Sequence, residues 1–179
     1  MARERVITDE ELLNLPKDGH KYEVVDGELV ATLVDFRHEL VIPHIGAAVG
    51  GFVKEHGLGA LIASNALYVF PNGNKRGPDL SFVAAERLAT LPAETVFPEL
   101  APDLAIEVLT RFDTARAVLD RIGDYLDAGV RLVWVVDPEK RRGAVYRSIT
   151  NAREIGVDGE LDGEDVVPGF RCRLSEILD

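Results

Sequence analysis

The sequence predicts a mixed α/β domain, a sheet with both parallel and antiparallel strands flanked by helices. Three observations carry that prediction. Residues 101–138 have the grammar of strand, helix and strand, the unit that lays two strands parallel through a right-handed crossover. Hairpin patterns at 21–30 and after 136 add antiparallel pairs. The chain's 179 residues, 46% of them hydrophobic, suffice to bury one core without a linker or repeat to divide it. We expect one domain over 1–179, with 1–19 a peripheral segment and 20–178 the core.

In chain order, Thr8 followed by Glu11 forms a capping box for a short helix, Asp9 to Leu15, which Pro16 stops. KYEVVDGELV, residues 21–30, alternates about Asp26-Gly27, the dipeptide suited to positive φ in a tight hairpin. Glu23 and Glu28 are expected on its solvent side. Residues 38–55 carry an apolar stripe, Val41, Ile45, Val49, Phe52 and Val53, that predicts a helix, with Pro43 tolerable in its first turn. His38 and His44 lie six apart, so they point to different sides of that helix and make poor joint metal ligands. Residues 59–71 offer two short strands, 72–74 a turn, and 78–84 a strand opened by Pro78. A short helix follows over 85–91, and 92–102 is a loop.

The central unit begins with DLAIEVL, whose alternation puts Leu104, Ile106 and Val108 on one face and Ala105, Glu107 and Leu109 on the other. Glu107 thus stands among apolar neighbours on a strand that reads as buried. The helix after it opens at Asp113 as N-cap and closes at Gly129. Its stripe is Ala115, Val118, Leu119, Ile122, Tyr125 and Leu126. Arg116, Asp120, Asp124 and Asp127 face solvent, and Arg121 lies beside the stripe. Residues 130–136 are a nearly continuous β-branched and aromatic run, as in an interior strand. Residues 143–147 pair antiparallel with it, 157–165 form a surface hairpin, and 174–178 end in a helical turn.

A net charge of −11 argues against a protein that coats nucleic acid or binds anionic membrane indiscriminately. No apolar run approaches a membrane span, and the first residues contain no secretory apolar segment. Cys172 is the single cysteine, which rules out an internal disulfide and a multi-cysteine metal centre and fits a reducing, cytoplasmic setting.

The chemistry concentrates on Asp79 and Glu107, carboxylates on two strands expected to share a sheet. Such a pair can hold a hard divalent cation, because Mg2+ takes one or two protein carboxylates and leaves its other positions to water and substrate phosphate. An unpartnered carboxylate buried in a strand would otherwise cost several kcal/mol. Asp79 alone could simply cap a turn. Basic residues at Lys75, Arg76, Lys140, Arg141, Arg142 and Arg147 could meet a phosphate backbone or form an ordinary solvated face.

PDLSFVAAERL, APDLAIEVLT, the helix ending YLDAGV, RLVWVVDPEKR, GAVYRS and LDGEDVVPGF, in that order, resemble the Uma-two family of the PD-(D/E)XK nuclease superfamily. YEVVDGELV and His38 match its N-terminal part, so the resemblance covers roughly 20–178. It implies a restriction-endonuclease-like core and hydrolysis of phosphodiester bonds in nucleic acid, DNA above all, with Mg2+ or Mn2+. By the same resemblance Asp79 and Glu107 are the metal-binding acidic pair and His38 faces the site. Leu109 stands where the superfamily usually has a lysine. The family generally offers that lysine from the next helix, where the aligned position holds Arg121, a phosphate clamp that stays protonated. Glu28 is a further acidic candidate, and the superfamily makes a homodimer plausible. The rival expectation is a nuclease fold that no longer cuts and serves as a binding or assembly module, for which Arg121 and the acidic charge speak. A scaffold that dimerises through an exposed sheet edge is the third.

Overall fold

The computed structural model of the chain describes residues 7–63 and 66–179. The first six residues of the N-terminal segment, and two positions within the expected strands of 59–71, lie outside the described residues. Helix α1 (Asp9–Leu13) carries the expected capping box and is followed by the hairpin β1 (His20–Val25) and β2 (Glu28–Leu33). Asp26 and Gly27 at the turn both have positive φ. Helix α2 (Phe36–Glu55) comes next, then β3 (Gly59–Ala63), β4 (Tyr68–Val69), β5 (Lys75–Arg76) and β6 (Leu80–Ala84). The short α3 (Ala85–Leu88) precedes β7 (Leu104–Val108), α4 (Ala115–Asp127), β8 (Leu132–Asp137) and β9 (Arg142–Ser148). The chain ends in β10 (Asn151–Gly156), β11 (Glu160–Asp162), β12 (Arg171–Arg173) and α5 (Leu174–Leu178).

A six-stranded sheet in the order β10-β9-β8-β7-β6-β3 is the frame. β7 and β8 run parallel, joined through α4, while β6, β9 and their outer neighbours pair antiparallel. The alternation of DLAIEVL determines which side each residue serves. Leu104, Ile106 and Val108 pack with the Val41, Ile45, Val49 and Val53 stripe of α2 and with α5, whereas Ala105 packs with Ile122 and Tyr125 of α4. Trp134 and Phe170 stack within the first of these cores. The sheet is therefore mixed and covered by helices on both faces. A second sheet, β2-β1-β5-β4, carries α1, whose Leu12 packs with Val24 and Leu67.

Several local expectations change. Helix α2 begins at Phe36, capped by Asp35, so Pro43 lies in its interior and not in its first turn. Thr114, not Asp113, caps α4, since its hydroxyl accepts from Ala117 N while Asp113 is drawn to Thr110 and Arg121. The other end of α4 is as expected. Gly129 takes φ 101°, and Gly129 N and Val130 N close on Leu126 O and Tyr125 O, the paired bonds of a Schellman turn. Leu119 of the expected stripe is 48% exposed, and Asp124 of the expected solvent face receives Arg76, Asn72 and Asn74 instead. The 157–165 segment is not a hairpin of its own. Its β11 pairs with β12 and buries Leu161.

Candidate active site

The β6–β7 register sets Leu80 opposite Ile106, and one step further out it brings Asp79 opposite Glu107. Both side chains are buried, and both lie at the end of the sheet where β1 passes. Period-two alternation on β1 turns Lys21 and Glu23 to the same side, toward this pair. Lys21 Nζ sits 2.8 Å from Asp79 Oδ1 and 3.7 Å from Glu107 Oε2. Asp79 Oδ2 accepts Val108 N at 2.8 Å and lies 3.1 Å from His38 Nε2 in the first turn of α2. The sheet, the helix and the hairpin thus meet on one carboxylate.

Glu107 is held from α4. The Tyr125 hydroxyl donates to Oε1 at 2.5 Å, and Arg121 NH1 stands 3.6 Å from Oε2. Arg121 also pairs with Asp113, and its Nε is buried without a partner among the described residues. Behind it, Glu23 accepts Gly77 N at 2.9 Å and Arg76 NH1 at 3.0 Å, and Arg76 reaches on to Asp124. Glu23 was expected on the solvent side, yet it is 2% exposed, because β5 and the buried Arg76 cover that face of the hairpin.

These neighbours pull the two acids apart. Burial pushes Glu107 above the ordinary glutamate range; Lys21 opposes the shift and the charge of Asp79 adds to it. Burial would raise Asp79 as well, but Lys21 and His38 outweigh it and hold its carboxyl below the usual range. Burial works against the charges of Lys21 and His38, and the adjoining carboxylates keep both protonated more strongly than in water. Arg121, likewise desolvated, is held charged by Glu107 and Asp113. The Tyr125 phenol is pushed well up by burial and by Glu107, so it remains a donor.

The four residues singled out from the sequence, His38, Asp79, Glu107 and Arg121, therefore stand in one cluster. Glu28, the additional acidic candidate, lies exposed on β2. Sequence reasoning missed Lys21, Glu23 and Tyr125. The one available signal for Lys21 was its i, i+2 spacing from Glu23, which shows a shared face but not that the face is covered. The basic patch is engaged with acids, although Lys140, Arg141 and Arg142 keep exposed side chains. Arg76 is buried, Lys75 pairs with Asp9, Lys140 with Asp137, Arg141 with Asp179, and Arg147 with Glu164 and Asp165.

Among the described residues no group of three or more His, Cys, Asp and Glu side chains is arranged to hold a metal ion. The donor set of the cluster still fits a hard cation: two carboxylates from adjacent strands, with an ammonium lodged between them as a positive charge would be. Two protein oxygens are within what Mg2+ requires when water and phosphate complete its shell.

A cleft of about 370 Å³ opens beside the cluster, lined by Glu23, Arg76, Arg121, Val30, Leu33 and Phe112 among others. No helix among the described residues is long and apolar enough to cross a membrane.

Comparison with known proteins agrees with the fold. The family model described as "Uma2: Putative restriction endonuclease" matches residues 9–175. The crystal structure of a "putative nuclease belonging to DUF820" from Anabaena variabilis ATCC 29413 is similar with a TM-score of 0.80, at 19% identity over 96% of this chain and 97% of that one. At that identity the likeness shows the shared fold. No curated protein matches the chain.

Proposed function

The chain belongs to the Uma2 family, and from that membership we propose that it is an endonuclease hydrolysing phosphodiester bonds of DNA with Mg2+ or Mn2+ held by Asp79 and Glu107. The observation that carries the reading is the position of Lys21 between two buried carboxylates on neighbouring strands. When bound, the cation would polarise the phosphate and lower the pKa of a water near it.

The protein's own groups then have distinct tasks. Lys21 brings a compact ammonium to the carboxylate pair, where it can neutralise charge that builds on the attacked phosphate. It fills the part that the sequence reading gave to Arg121. Arg121, fixed by Glu107 and Asp113, lines the cleft, where its guanidinium can hold a phosphate oxygen. His38 positions Asp79, and Tyr125 positions Glu107. Water is added across the P–O bond, its oxygen joining phosphorus and a proton ending on the leaving oxygen.

A second reading has its own support. Both oxygens of Asp79 are occupied by Lys21, His38 and Val108 N, and Glu107 is engaged by Tyr125 and Arg121, a saturation that suits a nuclease fold which binds without cutting. One assay separates the two. Purified protein is incubated with DNA and Mg2+ or Mn2+ beside Asp79→Asn, Glu107→Gln and Lys21→Met. The enzymatic reading expects cleavage by the parent alone, reduced by at least about a hundred-fold in each variant. Cleavage that persists in Glu107→Gln sinks the proposed site, and a parent that binds DNA but never cuts supports the binding module.

A homodimer and a cytoplasmic setting belong to the same proposal. The edge strand β2 leaves Leu29, Val30 and Leu33 exposed, which supports pairing of two chains, and the lone Cys172 suits a reducing compartment. Light scattering on a concentration series tests the dimer.

A further inference from the structure

Two dipeptides far apart in sequence meet at the rim of the carboxylate cluster. Phe36-Arg37 opens α2, and Arg111-Phe112 lies in the loop between β7 and α4. Asp35 ties them together. Its Oδ1 accepts Arg37 N at 2.9 Å, its Oδ2 accepts Arg111 N at 3.1 Å, and Arg111 Nε lies 3.6 Å from the same oxygen. Both rings stand in solvent, Phe36 at 77% and Phe112 at 52% exposed.

Placement links this rim to the chemistry on both sides. His38, two residues beyond Phe36, contacts Asp79, and Asp113, next to Phe112, holds Arg121. Arg37 and Arg111 line one cleft of about 180 Å³, while Phe112 and Arg121 line the neighbouring one of about 370 Å³. Arg37 makes no ion pair among the described residues, and the Arg111 side chain, paired with Asp35, is 65% exposed.

We propose that this rim is a platform for single-stranded DNA, on which Phe36 and Phe112 stack against bases while Arg37 and Arg111 take the backbone phosphates. The proposal rests on the nucleolytic reading above, and names the form of substrate that the site receives. Stacking needs a base face that a paired duplex keeps to itself, and alternation of aromatic rings with arginines is the combination that holds unpaired strands.

The test is binding, measured without cleavage. Fluorescence anisotropy in EDTA at low salt compares a labelled oligothymidylate with a blunt duplex of equal length, for the parent, Phe36→Ala, Phe112→Ala, Phe112→Trp and Arg37→Gln. Circular dichroism checks that each variant is folded. The parent should bind the single strand at least about ten-fold more tightly than the duplex. Each Phe→Ala should weaken single-strand binding at least about five-fold, with Phe112→Trp retaining it and duplex binding unmoved. Arg37→Gln should flatten the salt dependence. The proposal is overturned by equal or tighter duplex binding, by absence of binding, or by alanine variants that bind the single strand as the parent does. The last result, combined with loss of a dimer in light scattering, would assign the rim to a second copy. Single-strand binding that depends on both rings, with no cleavage in Mg2+ or Mn2+, would sink the nucleolytic reading and leave the platform. Cleavage indifferent to both rings would do the reverse.

Discussion

Lys21 Nζ lies 2.8 Å from Asp79 Oδ1 and 3.7 Å from Glu107 Oε2, so one ammonium serves two carboxylates that face each other across β6 and β7. All three groups are nearly inaccessible to water. Removing the ammonium leaves the two carboxylates with only His38 and Arg121 to offset them in a medium of low dielectric constant, a loss larger than the net worth of the pair.

Lys21→Met should therefore destabilise the metal-free protein by about 3–5 kcal/mol in urea denaturation. Asp79→Asn introduced beside it should recover part of the loss, because the two substitutions share one interaction and cannot add. Added Mg2+ should raise the melting temperature of Lys21→Met more than that of the parent, since the cation takes the place left by the ammonium. A variant as stable as the parent would mean that Lys21 is not the counterion of the pair.

How far the site was legible follows from what alternation can and cannot say. The face of Glu107 was readable, because a strand covered on both sides has apolar residues in both registers and one carboxylate stands out. Its pairing with Asp79 followed from both strands joining one sheet. Lys21 and Glu23 were not readable in the same way. In a hairpin, period two shows which residues share a face, but the cover over that face comes from Arg76 and β5, some fifty residues away in sequence. The α4 cap shows the same limit. Asp113 and Thr114 are adjacent and both competent, and the choice between them was made by Arg121, a tertiary partner that claims Asp113.

Arg121→Lys tests whether the arginine is a substituted catalytic lysine. With Lys21 already at the carboxylates, the exchange should yield no gain in cleavage. It should instead cost about 1–3 kcal/mol of stability, because an ammonium cannot bridge Asp113 and Glu107 as a guanidinium does. A rise in activity would restore the degenerate-nuclease reading.

Asp35 supplies a pH-dependent component at the start of α2. Burial raises its pKa, but the backbone N–H groups of Arg111, His38 and Arg37 outweigh that and leave it below 3.8. A depressed carboxylate stabilises the fold above its unfolded pKa, and the contribution disappears as pH falls through the folded value. Asp35→Ala should cost about 1–2 kcal/mol at neutral pH. The gap from the parent, followed by urea denaturation, should narrow as pH drops below about 4. A gap that is constant with pH would assign the effect to packing.

Cys172 offers a readout remote from the carboxylates. Burial pushes its thiol up to about 11 from 9.0, and Glu176 beside it adds to the rise. Only the thiolate is alkylated, so at pH 8 the folded protein should react about a hundred-fold more slowly with iodoacetamide than the urea-unfolded chain, from the thiolate fraction alone. A raised pKa also means that this group stabilises the fold below the unfolded value, and that the contribution is lost as pH climbs toward about 11. Glu176→Gln should speed alkylation of the folded protein by removing the secondary cause, while burial keeps it slower than in urea. Equal rates for folded and unfolded protein would show that β12 exposes Cys172, and with it the edge of the core that Leu161 and Leu174 close.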